Sequence, residues 1–167
     1  LAAAGMLQPG VSVEEQFKKI TTRIVNLEEG RFATEAELAE IKAAGLDPQK
    51  YDQRKASKTP ELSKPLSGDE DPASIKRMEK YAEIYMIENN GEIEKIILPI
   101  HGYGLWSTLY GFIALKGDMD TIVGLGFYSH AETPGLGGEV DNPSWKAIWE
   151  GKEVYDDSGD VAIKVVK

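Results

Sequence analysis

Two short stretches combine glycine with aromatic, hydroxyl and carboxylate side chains, the mixture that suits a planar ligand. The first is His101-Gly102-Tyr103-Gly104-Leu105-Trp106-Ser107-Thr108, and the second is Glu132-Thr133-Pro134-Gly135-Leu136-Gly137-Gly138-Glu139. Glycine lets backbone come close to a flat ring and adopt positive φ. Trp106 and Leu136 supply the apolar walls that such a ring prefers. A free phosphate is a different matter. Gly135-Leu136-Gly137-Gly138 lacks the spacing and the strand-to-helix context of a dinucleotide fingerprint, and no P-loop occurs. Glycine clusters also serve as plain turns, and Trp106 would suit a core. Residue types alone therefore leave a ligand role and a structural role both open.

The remaining reactive groups carry less. Glu132 and Glu139 lie seven residues apart, and a solvated acidic rim is the simpler reading of the pair. Asp156, Asp157 and Asp160 flank Ser158-Gly159 without the other ligand positions of a calcium loop, which leaves a plain turn. His101 and His130 are the only histidines and there is no cysteine. Disulfides, iron–sulfur clusters and thiolate zinc sites are thus excluded. A Ser-His-Asp triad has no supporting Gly-x-Ser-x-Gly. Residues 117–160 hold ten carboxylates against Lys146 and Lys152, a local charge of −8 in a chain of −9. Such a field repels polyanions and lacks the basic footprint of a nucleic-acid partner.

The elements that must position the two stretches follow from spacing. The chain has 167 residues, enough for one domain or one domain with an appendage. Ser12 with Glu15 reads as a capping box, followed by Val13, Phe17, Ile20 and Ile24 at helical spacing. Alternation from Arg23 to Leu27 suggests a short strand. Thr34 with Glu37 caps a second helix bearing Leu38 and Ile41, which Gly45 stops. Residues 47–80 are charged, carry prolines at 48, 60, 65 and 72, and read as a long draped loop prone to disorder.

Strands are expected over Ala82–Glu88 and Glu92–Ile100 about the Asn90-Gly91 hairpin signal. Further strands are expected over Leu109–Leu115, Thr121–Ser129 and Val161–Val166. Asn142 caps a helix from Pro143 that carries Trp145, Ile148 and Trp149, with both tryptophans as core anchors. The fold class is α+β, a twisted antiparallel sheet with flanking helices. Its parts are an N-terminal helix-and-strand segment (1–46), the charged segment (47–80) and a β-rich core (81–167), within one domain.

At Gly104-Leu105-Trp106-Ser107 and Glu132-Thr133-Pro134-Gly135-Leu136-Gly137-Gly138-Glu139 the run from Ile97 to Lys167 resembles the FMN-binding domain of the NqrC family, the C-type subunits of the sodium-translocating NADH:quinone oxidoreductases. The N-terminal half, including Tyr51-Asp52-Gln53-Arg54-Lys55, is similar to the same family. The paralogous G-type component of the Rnf electron-transport complex shares the FMN-binding domain and is the near alternative.

The resemblance implies a flavoprotein that relays electrons one at a time within a NADH:quinone reductase of the bacterial inner membrane. One N-terminal helix, not contained in this stretch, would anchor it, with the soluble domain on the periplasmic side. The implied partners are the other subunits of the same membrane complex and a flavin transferase. That enzyme esterifies FMN to a threonine in a Ser/Thr-Gly-Ala-Thr motif. Residues 1–167 contain no such motif. The expectation is therefore an attachment threonine beyond Lys167, no covalent FMN on this stretch, and no activity from it in isolation. The resemblance places Trp106, Glu132, Thr133, Gly135, Leu136 and Lys167 at the flavin, with no metal and no general acid or base. A structural or docking fragment without its own cofactor is the contrasting expectation.

Overall fold

A computed structural model of the chain describes residues 1–165 and has the expected α+β class. The Ser12 hydroxyl accepts the Glu15 backbone N–H and caps helix α1, Val13–Phe17. The helix ends there, so the helical spacing expected as far as Ile24 does not hold. Ile20 and Ile24 belong instead to strand β1, Ile20–Asn26. The β-branched run Ile20-Thr21-Thr22 favours extended backbone. Seven residues then pair in unbroken register with a later strand, from Ile20 opposite Ile87 to Asn26 opposite Tyr81. After the short strand β2, Arg31–Phe32, comes helix α2, Glu35–Ala43. Its Thr34–Glu37 capping box is complete, and the Glu37 carboxylate also holds the Arg31 guanidinium at 2.9 Å.

Residues 47–80 depart from the expected loop. They contain helix α3, Gln53–Ala56, and the paired strands β3, Ser63–Pro65, and β4, Arg77–Glu79. Tyr51, Ala56 and Leu62 are buried in one cluster with Ile24, Ile41, Leu46 and Tyr81. The segment has few apolar residues, but these three point inward. The Tyr51 hydroxyl donates to the Tyr81 carbonyl at 2.8 Å, and the Gln53 side chain joins the Glu79 carboxylate to the Glu83 backbone N–H. Hydrogen-bond partners supplied at burial are what let a charged segment form part of the core.

Four long strands complete the main sheet: β5, Tyr81–Asn89; β6, Glu92–Tyr103; β7, Thr108–Lys116; and β8, Ile122–Ser129. All pairings are antiparallel, in the order β2-β1-β5-β6-β7-β8. Positive φ at Asn90 and Gly91 makes the tight β5–β6 turn that their types predict. Alternation places Ile96 and Leu115 on one face and Ile97 and Ala114 on the other. Trp149, Val154 and Ile163 cover the first face, while Ala4, Met6 and Ile20 pack on the second.

Helix α4, Pro143–Ala147, is capped by the Asn142 side chain on the Ser144 N–H. Trp149, just beyond it, packs on the core, and Trp145 meets it edge to face at 5.5 Å. The strand expected from Val161 does not form over the described residues. Val161 makes one isolated bridge to Tyr155, the Ala162 and Ile163 N–H groups donate to the Val154 carbonyl at 2.8 and 3.4 Å, and the Ile163 side chain packs on the core. Among the described residues no helix is long and apolar enough to cross a membrane.

Candidate functional site

The last β6–β7 pair is Tyr103 opposite Thr108, so residues 104–107 form a tight connection closed by the Gly104 N–H on the Ser107 carbonyl at 2.8 Å. The second motif begins just after β8. Although 24 to 27 residues apart in sequence, the two loops are fastened together by the side chains of Glu132 and Ser107. Glu132 is 8% exposed. Its carboxylate accepts the backbone N–H groups of Leu105, Trp106 and Ser107 at 3.2, 3.1 and 3.0 Å, and the Ser107 hydroxyl at 3.2 Å. The same hydroxyl accepts the Ala131 N–H at 2.8 Å. Three consecutive amides aimed at one anion make a nest. The Trp106 N–H, opposed by burial and helped by those of Ser107 and Leu105, holds this carboxyl below the usual glutamate range.

The clamp gives the glycines a different purpose from the expected approach to a ring. A Cβ on Gly104 would lie 2.7 Å from the Glu132 carboxylate, and one on Gly137 would lie 2.8 Å from it. Both motifs thus leave room for the same buried anion. Glu132 is accordingly not part of a solvated acidic rim; of the expected pair only Glu139 is exposed. Both Glu132 oxygens are committed to the neighbouring loop, which makes the residue a shaper of the site.

Apolar side chains take the outer surface. Leu105, Trp106 and Leu136 are 73%, 65% and 70% exposed. Trp106 is therefore no core residue. Thr133 and Gly135 belong to a turn whose centre is the Thr133 carbonyl, which accepts the N–H groups of Leu136 and Gly138 at 3.1 and 3.0 Å. Gly135 has φ +75°, which its type allows. Five of the six expected site residues are thus on two loops joined by Glu132, and Lys167 lies outside the described residues. The arrangement fits a flavin ring, which needs apolar cover and edge contacts from backbone. Neither loop contains a lysine or an arginine.

Sequence reasoning missed Ser107 and His130 as members of this network. The His130 ring nitrogen Nδ1 accepts the Glu132 N–H at 3.2 Å, and Nε2 lies 2.9 Å from the Asp141 carboxylate. Ser107 lies within the first motif, and His130 had only its nearness to the second as a signal. His130 and Ser107 form no triad with Asp141, because the imidazole bonds Asp141 and the Glu132 backbone while the Ser107 hydroxyl bonds the Glu132 carboxylate. Asp156 is a plain turn, its carboxylate taking the N–H groups of Ser158 and Asp160.

Behind the loops, a row of rings crosses the sheet. His101 stacks on Tyr110, which neighbours Tyr128, and the Arg54 guanidinium sits 3.6 Å from the Tyr110 centroid. A cavity of about 250 Å³ lies between this row and α3, and one of about 540 Å³ runs along β8 beside residues 1–5. Neither is lined by residues 104–107 or 132–139.

The chain is similar to known proteins in both sequence and fold. Residues 104–165, which include both motifs, match the family model described as FMN-binding domain. The C-type subunit of the Na(+)-translocating NADH-quinone reductase of Pseudomonas aeruginosa is 51% identical over the whole chain, and that of Vibrio parahaemolyticus is 42% identical over 98% of it. The chain spans 62% and 61% of the length of these two relatives. The crystal structure of Shewanella oneidensis NqrC superposes with a TM-score of 0.82 at 31% identity. The corresponding protein from Parabacteroides distasonis gives 0.58 at 25%, over 91% of this chain and 62% of the other. Since the Shewanella match takes in 99% of this chain and 72% of that one, the chain belongs to the NqrC family, the C-type subunits of the Na+-translocating NADH-quinone reductases.

Proposed function

We propose that this chain is the soluble part of an electron-carrying flavoprotein subunit that works within a sodium-translocating NADH:quinone reductase. The observation that carries the proposal is the Glu132 clamp. It consumes polar groups of both motifs internally and leaves Trp106 and Leu136 as an uncovered apolar surface. A flavin ring would cover that surface. In this reading Trp106 and Leu136 form its walls, the Thr133–Gly135 turn supplies contacts to its edge, and Glu132 fixes the geometry of both. Lys167 is assigned to the same site by family resemblance. FMN supplies the redox chemistry, accepting and releasing single electrons; the protein orients the ring and sets its surroundings.

The absence of a cationic cradle suits a cofactor whose phosphate is esterified to a threonine. Residues 1–167 contain no Ser/Thr-Gly-Ala-Thr, so the reading places that threonine beyond Lys167. The remaining assignments are a periplasmic location, membrane attachment through a preceding helix, the other subunits of the complex as redox partners, and a flavin transferase during maturation. The test is to produce a polypeptide extending past residue 167 together with a flavin transferase and FAD. A yellow band that stays fluorescent on a denaturing gel is the expected result, while residues 1–167 alone remain colourless. A colourless extended protein would instead favour a docking fragment without its own cofactor.

A further inference from the structure

We infer that His130 is a positioning residue that closes the Glu132–Asp141 loop at both ends. The loop of ten residues from Glu132 to Asp141 presents Thr133, Gly135 and Leu136. At its start, the Glu132 N–H donates to His130 Nδ1 at 3.2 Å. At its end, His130 Nε2 meets the Asp141 carboxylate at 2.9 Å. One imidazole, with its side chain only 12% exposed, therefore joins residues nine apart. Between these two points the loop is tied internally by the Thr133 carbonyl and by the short 3-10 turn Gly137–Asp141.

The two contacts dictate the chemistry of the ring. A backbone N–H can only donate, so Nδ1 must carry a lone pair. An ionised carboxylate can only accept, so Nε2 must carry the proton. Only the neutral Nε2–H tautomer satisfies both partners at once. No shorter side chain reaches both. Asparagine places an acceptor near the Nδ1 position but has nothing at Nε2, and glutamine does the reverse. His130 also aligns the backbone from which the Glu132 carboxylate extends to the 105–107 amides. Its influence on the presentation of Trp106 is through Glu132 and not by contact. That this alignment serves a flavin rests on the function proposed above; the closure itself does not.

The first measurement is the nitrogen NMR of the histidine rings in the chain of residues 1–167. The expected result is a His130 Nδ1 without a proton and a protonated Nε2; an Nδ1–H tautomer overturns the inference. The second is amide hydrogen exchange at Leu105, Trp106 and Ser107 in His130→Asn, His130→Gln and His130→Ala. Exchange is expected to rise by about tenfold in all three variants, because each loses at least one of the two hydrogen bonds that close the loop. Wild-type exchange in either the Asn or the Gln variant overturns the inference. Neither readout requires flavin. Failure of the extended polypeptide to acquire FMN would therefore count against the proposed function while leaving the closure standing, and the reverse pattern would separate them the other way.

Discussion

The two ends of the main sheet are built with the same device and put to opposite uses. At one end the Glu132 carboxylate gathers the amides of residues 105–107; at the other Asp120 takes the N–H groups of Val154 and Tyr155 at 2.7 and 2.9 Å. Asp118 in the same far turn accepts from the Thr121 hydroxyl and from the amides of Asp120 and Thr121. At the far end these staples fasten a returning segment so that Val154 packs in the cluster of Leu115 and Ile122, both nearly fully buried. At the motif end the carboxylate is buried and the apolar side chains are outside. Ordinary folding gains come from burying apolar area, so the motif end forgoes them. In the function proposed above, that uncovered surface is the one the flavin ring covers.

This contrast predicts that damage to the far end reads as instability and damage to the motif end as lost binding. Gly117, in the far turn, has the Ile93 carbonyl where a Cβ would stand. That neighbour is backbone and cannot swing aside. Gly117→Ala should lower unfolding free energy by about 1–3 kcal/mol, as for overpacking, measured by urea denaturation. FMN incorporation into the extended polypeptide should be unchanged in the fraction that remains folded. Equal losses of binding and stability would dissolve the distinction between the ends.

The reciprocal change is Gly104→Ala. Its Cβ would meet the Leu109 side chain at 2.5 Å and the Glu132 carboxylate at 2.7 Å. Both are side-chain ends, and either can move. Stability should fall less than for Gly117→Ala, whereas displacement of the Glu132 carboxylate disorders the Trp106 loop. FMN incorporation should drop by about tenfold, the cost of roughly one misplaced hydrogen-bonded contact. Normal incorporation together with accelerated unfolding would show that Gly104 is a matter of packing alone.

The difference between the ends was only half legible in the sequence. Period-two alternation and Asn90-Gly91 announced the β5–β6 hairpin, and Thr34 with Glu37 announced α2, because those signals are local. Ile20 and Ile24 fit a helix and a strand equally at their spacing, and only pairing with β5 decided between them. Tyr51 and Leu62 looked isolated in a charged stretch because the residues that bury them, such as Tyr81, are remote in sequence. The site shows the same division. Glycine, Trp106 and Leu136 marked the loops by type, and the family resemblance gave them a cofactor. The clamp joins Glu132 to residues 25 to 27 positions away, a distance at which no periodicity operates. By residue type Glu132 accordingly read as surface charge, although the resemblance placed it at the flavin, and His130 read as an ordinary residue.

The smallest predicted effect concerns acid, and it separates the ends once more. Glu132 and Asp118 are each held below their ordinary carboxyl values, Glu132 first by the Trp106 N–H and Asp118 first by the Thr121 hydroxyl. A carboxyl lowered in the folded state stabilises the fold above its ordinary value, and that contribution fades as pH falls toward the folded-state value. Acidification from neutral should therefore leave both ends intact until the pH is below about 4.5, the ordinary value for a glutamate. Protonated Glu132 then loses its charge-assisted hold on three amides, so the Trp106 loop should loosen along with the far turn. Glu132→Gln presents one acceptor and one donor group where the loop offers three N–H donors and the Ser107 hydroxyl. It should abolish the acid response of Trp106 fluorescence and raise amide exchange at residues 105–107 already at neutral pH. Asp118→Asn should leave that response in place and flatten only the acid dependence of global unfolding. If Glu132→Gln left the Trp106 signal and its titration unchanged, the anion would not be what shapes the loop, and the contrast between the two ends would rest on apolar exposure alone.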